Sequence, residues 1–203
     1  MATGREEAYG QAGLSPVDRL GVALSMRRVL RSAPLTPSTR VLDLGCGHDA
    51  TLLCALALRI GSGVGVDLSV SQEARRHPNL AFVEAPIEDA LPERPDASSD
   101  LVMLISVLEH LEDPLATLRE CRRVLAPEGV LMVNVPTWAG KPLLELSAFR
   151  LGLSPAIEMD DHRMYYGRRD LWPLLVRAGF RPSRIRIGYH KLGLNLFARA
   201  SNG

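Results

Sequence analysis

Gly45 and Gly47 stand one residue apart, between an apolar run and a helix-like one. Val41-Leu42-Asp43-Leu44 leads in and residues 51–59 follow. Strand, glycine turn and helix is the geometry that brings an adenosine-bearing ligand against bare backbone. Without a Cβ the chain can turn sharply there and let a ligand approach its N–H groups closely. A second strand-like run, residues 63–67, ends in the carboxylate of Asp67. An acid about 20 residues beyond the glycines is where a bound ribose presents its hydroxyls. The turn reads Gly45-x-Gly47-x-x-Ala50, a fingerprint that several cofactors share.

A second group of chemically capable residues follows residues 101–105. Glu109-His110 falls at the carboxyl edge, where open α/β sheets bind ligands. Histidine titrates near neutrality, so His110 can act as a general base; its structural alternative is to cap the next helix or tie down the loop. A third group lies in residues 136–167, which interrupt the regular pattern and form the candidate substrate-selecting insert. Trp138, Leu143, Leu144, Leu146, Phe149 and Leu151 make its first half apolar. Its second half, ending His162-Arg163-Met164-Tyr165-Tyr166, is polar and aromatic. That mixture suits a polar ligand with an apolar tail; the alternative is a lid that only excludes water. Tyr165 and Tyr166 offer flat faces and hydroxyls, and His162 or His110 can take a proton. Asp160, Asp161 and His162 are adjacent in sequence, which is poor ligand geometry, and no metal is expected.

These groups need a framework. From Thr39 the pattern alternates strand and helix, which predicts an α/β fold: a single Rossmann-like, seven-stranded, mostly parallel sheet with helices on both faces. The expected strands are residues 40–44, 63–67, 81–84, 101–105, 130–135, 183–187 and 194–198. Helices are expected to start near Asp49, Ser69 and Pro114, and another spans 168–178 and ends at Gly179. Residues 1–14 read as a flexible N-terminus, and 15–203 as one domain. Ser15-Pro16 opens a leading helix over 15–33, which either packs on the core or covers the ligand. His190-Lys191 reads as a solvated hairpin turn, and Asn134-Val135-Pro136 as a strand end.

The chain has 203 residues with a net charge of +1, which gives no reason to invoke nucleic acid or an anionic membrane. No apolar stretch reaches the roughly 18 residues of a membrane span. Cys46, Cys54 and Cys121 lack metal spacing, and an odd number suits a reducing compartment, so cytoplasm is the expected location. Cys46 lies in the glycine turn as a small side chain expected to pack under the loop.

An acid, one residue, then G-x-G, as in Asp43-Leu44-Gly45-Cys46-Gly47, resembles the first motif of the class I S-adenosylmethionine (SAM)-dependent methyltransferases. Their ligand carries a sulfonium and an amino acid in place of a pyrophosphate, and tolerates the carboxylate. Asp100 and residues 101–111 look like the family's fourth strand and the segment after it. Arg123-Val124-Leu125-Ala126-Pro127-Glu128-Gly129-Val130-Leu131 is similar to its turn into strand five, and Ala178-Gly179-Phe180 to the close of its late helix. The resemblance covers about residues 39–200, closest to the small-molecule enzymes typified by ubiquinone and menaquinone biosynthesis. It implies SAM as cofactor, with S-adenosylhomocysteine as product, held by Asp43, Gly45, Cys46, Gly47, Asp67, Leu68, Ile87, Glu88 and Ser106. It also implies His110, His162, Tyr165 and Tyr166 as the candidates around the acceptor.

The sequence departs from the family in places. Asp49 replaces a third glycine and either caps the following helix or meets the cofactor. Pro86 stands where the family often has the adenine-binding Asp, leaving Glu88 or Asp89 to replace it and Leu68 and Ile87 to flank the ring. Glu128 replaces one glycine of a P-G-G turn. Ser106 replaces a metal-binding glutamate of some quinone-pathway relatives.

The expected activity is methyl transfer from SAM to a small molecule by in-line displacement. The alternative is a non-catalytic SAM-binding or scaffold protein on the same fold. A nicotinamide oxidoreductase would need a Tyr-x-x-x-Lys pair or a second domain, and the sequence offers neither. The acceptor, the atom methylated and the oligomeric state stay open.

Overall fold

The computed structural model describes residues 16–33, 35–138, 140 and 164–203. The expected N-terminal segment 1–14, Ser15, His162 and most of the 136–167 insert lie outside them.

Seven strands form one sheet in the order β3-β2-β1-β4-β5-β7-β6. They are β1 (Arg40–Leu44), β2 (Ser62–Asp67), β3 (Leu80–Glu84), β4 (Ser99–Ile105), β5 (Leu125–Pro136), β6 (Ile185–His190) and β7 (Asn195–Ser201). The first five pair in parallel, whereas β7 runs antiparallel to both β5 and β6. The connections explain the change. A parallel neighbour needs a crossover of a dozen or more residues, but β6 reaches β7 through the short 3-10 turn Lys191–Gly193. Lys191 and Leu192 take left-handed φ values of 49° and 58° in that turn.

Helices α1 (Pro16–Ser32) and α2 (Thr51–Leu56) cover one face, where Val29, Leu53, Val41, Met103, Met132 and Phe197 form a core. On the other face Leu44, Leu104, Val133 and Leu196 pack with α4 (Pro114–Val124) and α5 (Arg168–Arg177). The short α3 (Ile87–Ala90) lies on that side too. Central strands buried on both faces read as continuous apolar runs, which is why β1 and β4 stood out. In α4, Asp113 accepts the Ala116 N–H and Pro114 fills the first position, so start signal and structure agree. Its buried stripe is Thr117, Leu118, Cys121 and Val124.

The C-terminal half of the leading helix packs on the sheet. Val29 is fully buried, and Arg199 of β7 donates to the Ser32 carbonyl at 3.0 Å.

Two expected features differ. No α-helix starts near Ser69; the segment holds a 3-10 turn at Ala74–Arg76. Val70 N–H bonds the Glu84 carboxylate and Ser71 N–H the His48 carbonyl, which ties the segment to β3 and to the glycine turn. Asp49 does not cap α2 with its side chain. The helix begins one residue later, behind Ala50, whose φ of 43° makes the cap left-handed, and no side chain bonds there. At Glu128 the family-like turn survives the loss of glycine. Glu128 takes a φ of 61°, and its carboxylate pairs with Arg184.

Candidate active site

The carboxyl ends of β1, β2 and β4 bring the cofactor candidates together. Gly45 and Cys46 both donate to the Val66 carbonyl, at 2.8 and 3.1 Å. Gly47 donates to Asp67 Oδ2 at 2.7 Å, and Leu68 donates to Asp67 Oδ1 at 2.8 Å. The expectation that the turn's N–H groups face a ligand is therefore corrected for these three residues. Val66 and Asp67 consume their donors, because the turn folds back on the end of β2. What the turn presents to a ligand is a surface stripped of side chains. Gly45 has a φ of +72°, and a Cβ there would overlap Val107 Cγ2.

Cys46 lies beneath this surface. Its Sγ would stand 2.9 Å from a Cβ at Gly65. Burial, then the nearby Asp43 and Asp67, push its thiol well above the ordinary range, which makes it packing and not a nucleophile.

Asp43 is 2% exposed, and its Oδ2 has no hydrogen-bond partner. Burial, then the negative charge of Asp67, raise its pKa to about 7. Ionising a buried carboxyl that lacks a partner is costly, so a positive charge brought to this edge would favour its ionised form. Asp67 sits above it, half-buried. Each of its oxygens has a second lone pair beyond the backbone N–H it accepts, so ribose hydroxyls can still bind. A bare turn, a carboxylate at the end of β2 and an uncompensated acid between them fit a ligand with a ribose and a sulfonium.

The adenine candidates lie one strand over. Leu68 and Ile87 are half-buried and Glu88 is exposed in the first turn of α3. Ala85 N–H bonds the Asp67 carbonyl at 3.0 Å and locks the end of β3 to that of β2. Sequence reasoning overlooked Glu84. It holds Val70 N–H and pairs with Arg75 at 3.1 Å, bracing the loop after Asp67.

Past β4, Ser106 is exposed and adopts a left-handed φ of 60°. A non-glycine residue there carries backbone strain of about 1–3 kcal/mol. The conformation lets its N–H reach the Asn134 carbonyl at 2.8 Å while its Oγ meets Asn134 Nδ2 at 3.3 Å. Asn134 is fully buried at the end of β5, and its Oδ1 has no partner. Its signal in the sequence was a lone amide in an otherwise apolar strand. The 3-10 turn Leu108–His110 follows, with Glu109 buried and His110 half-buried.

Tyr166 is corrected as an acceptor contact. It is 2% exposed, and its hydroxyl donates to the Leu108 carbonyl at 3.3 Å. Burial, then Glu109 and Asp170, push its phenol up to about 12. Its N–H also bonds the Pro136 carbonyl at 3.0 Å, so it anchors the end of the insert to the end of β5. Tyr165 is buried as well, with its ring 5.7 Å from that of the half-exposed Trp138. His190 is not solvated as expected. It stands 5.9 Å from the Phe197 ring, and burial, Lys191 and Arg28 lower its pKa to about 4. Among the described residues no group of three or more His, Cys, Asp or Glu side chains could hold a metal ion. No described helix is long and apolar enough to cross a membrane.

A family model described as "Methyltransferase domain" matches residues 20–183. A Mycobacterium tuberculosis protein named "Probable S-adenosylmethionine-dependent methyltransferase" is 32% identical over 155 residues, covering 74% of this chain and 52% of the relative. The ubiquinone biosynthesis O-methyltransferase of Xanthomonas campestris is 37% identical over 106 residues, covering 48% and 43% of the two chains. The chain thus spans about half the length of the curated relatives it matches. A solved SAM-dependent methyltransferase from Thermotoga maritima superposes with a TM-score of 0.68 at 18% identity, covering 92% of this chain and 91% of the other.

Proposed function

We propose, from the premise that this chain belongs to the SAM-dependent methyltransferases, that it transfers a methyl group to a small-molecule acceptor at the carboxyl edge of β1, β4 and β5. The observation that carries this reading is the pairing of Asp43 and Asp67. One acid is buried with an unpartnered oxygen; the other is clamped to the glycine turn through Gly47.

SAM supplies an electrophilic methyl on a sulfonium: an acceptor lone pair forms the new bond to carbon as the C–S pair returns to sulfur, leaving neutral S-adenosylhomocysteine. The leaving group is good, so the protein acts mainly by position and by excluding water. Asp67 would take the ribose hydroxyls, Asp43 would favour the positive charge before transfer, and Leu68 and Ile87 would lie against the adenine. Gly45 and Val107 shape the floor beneath the donor. His110, beyond β4, would take a proton where the acceptor must lose one. A small acceptor is supported by the insert, which leaves β5 at this same edge, and by the ubiquinone-pathway relative.

The test is calorimetric titration with S-adenosylhomocysteine, followed by transfer of labelled methyl from SAM to a panel of phenols, sugars and lipid-linked intermediates. Binding with turnover supports the enzyme. Binding with no turnover on any acceptor class would favour a SAM-binding scaffold, and absence of binding would overturn both.

A further inference from the structure

One row of residues runs across the sheet at its carboxyl edge. Ile105 pairs with Asn134, Asn134 with Phe197, and Phe197 with Gly188. Asp67, the last residue of β2, continues the row one residue past the paired Leu44 and Val66, and Gly45 follows Leu44 into the turn beside it. Cross-strand partners share a face, so Ile105, Asn134 and Phe197 look toward the same side, where Ile105 and Phe197 belong to the core that α1 covers.

Arg28 of α1 lies over the far half of this row. Its guanidinium carbon is 5.2 Å from the Phe197 ring centroid, and one terminal nitrogen lies 3.5 Å from where a Cβ on Gly188 would be. Helical side chains lean toward the helix N-terminus. Here that is the carboxyl edge, because Gly21 lies against Lys191 in the turn after β6 while Ser32 is held by Arg199 further down the sheet. Among the described residues no carboxylate pairs with Arg28, and its Nε is buried without a hydrogen bond. His190 supplies no counter-charge; it is neutral at neutral pH. A half-buried guanidinium offers a planar fork of donors that matches carboxylate or phosphate oxygens.

We propose that Arg28 receives an anionic oxygen group, carboxylate or phosphate, on the acceptor itself, while Asn134 hydrogen-bonds the acceptor's polar middle. This rests on the carboxyl edge being the site of methyl transfer. Neighbouring strands are about 4.8 Å apart, and β4 and β7 are separated only by β5. The anion therefore lies about 10 Å from the methylated atom, a separation that suits an acid or phosphate ester with one ring or a short chain between the two.

Calorimetry on the full chain tests this with benzoate, phenyl phosphate and neutral benzamide as probes, each with and without saturating S-adenosylhomocysteine. At least one anion should bind tenfold or more tightly than benzamide, and which one does tells carboxylate from phosphate. Arg28→Gln should abolish the preference, Arg28→Lys should keep part of it, and both should bind S-adenosylhomocysteine like the parent. Equal binding of charged and neutral probes, no binding of any probe, or a preference that survives Arg28→Gln overturns the proposal. So does a tenfold loss of S-adenosylhomocysteine affinity in Arg28→Gln, which would assign Arg28 to the cofactor's own carboxylate. An Arg28-dependent anion preference in a protein that does not bind S-adenosylhomocysteine would keep the anion site and reject the cofactor reading instead.

Discussion

Gly47 donates its backbone N–H to the Asp67 carboxylate across 2.7 Å, which joins the glycine turn and the acid at the end of β2 into one unit. A substitution at either residue reaches the other. Asp67→Ala removes the brace and, on the proposed reading, the ribose contacts with it. Hydrogen bonds to a charged group contribute about 1.5–3 kcal/mol each, so S-adenosylhomocysteine should bind at least tenfold more weakly. Asp67→Asn, which keeps one oxygen acceptor, should fall between the parent and the alanine variant. Calorimetric affinities in the order Asp, Asn, Ala check this, and unchanged binding in Asp67→Ala removes the assignment.

Gly45→Val should damage fold and ligand site at once. The left-handed φ disfavours any side chain, and Val107 already fills the space. Together these should lower unfolding stability by about 2–4 kcal/mol. Val107→Ala in the same chain should recover part of the urea midpoint by relieving the overlap, but not the part that comes from φ. Full recovery would show that the backbone is unstrained.

Ile87→Ala should weaken S-adenosylhomocysteine binding more than Glu88→Ala does. Ile87 is half-buried whereas Glu88 points to solvent from the first turn of α3. The opposite order in the same titration would make Glu88 the replacement for the acid that Pro86 displaces.

Tyr166→Phe should cost stability and spare chemistry. The change leaves the buried Leu108 carbonyl without its donor, a loss of about 1–3 kcal/mol. Turnover on an identified acceptor should change less than threefold, roughly half a kcal/mol on the barrier. A tenfold fall in turnover with an unchanged melting curve would instead put the hydroxyl on the acceptor.

Asp43 should make the ligand-free protein less stable as pH rises. Its carboxyl is raised from 3.8 to about 7 in the folded chain, mainly by burial. Between those values the folded state holds a proton that the unfolded state has released, so stability declines as pH increases. The penalty is absent below the lower value and complete above the upper one. Urea midpoints for parent and Asp43→Asn at pH 5 and pH 8 report it: the parent should lose more stability across the interval than the variant. Parallel shifts in the two would show that Asp43 ionises normally.

Local signals carried the framework. The apolar run at Val41, the Pro114 start and the Gly179 stop each announce an element through their own chemistry, and each stands where expected. Asp49 shows the limit of such reading. As a residue type it suits a cap, but the turn delays the helix by one residue and leaves its side chain outside. Ser69 shows another limit, since bonds from Val70 to Glu84 and from Ser71 to His48 tie this segment to distant parts of the chain. The meeting of Gly47 and Asp67 at one sheet edge was legible, because a strand, a glycine turn and a helix followed by a second strand set it by spacing alone. The site was not legible where distant segments meet. The links of Tyr166 to Leu108, Ser106 to Asn134 and Arg28 to Phe197 depend on sheet order, which no local pattern encodes.

The bond from Tyr166 N–H to the Pro136 carbonyl has a further consequence. Thr137 is tied in the same region, with its N–H on the Leu194 carbonyl at 2.9 Å. The chain thus departs from and rejoins the sheet at adjoining points that are fastened independently of whatever lies between. Closing a loop costs only about 0.6 kcal/mol more for each doubling of its length. Natural variation can therefore lengthen, shorten or replace residues 138–163 without altering the strands that hold the glycine turn. Fastening the two ends of this segment and framing the glycine turn are thus separate tasks, held by separate bonds.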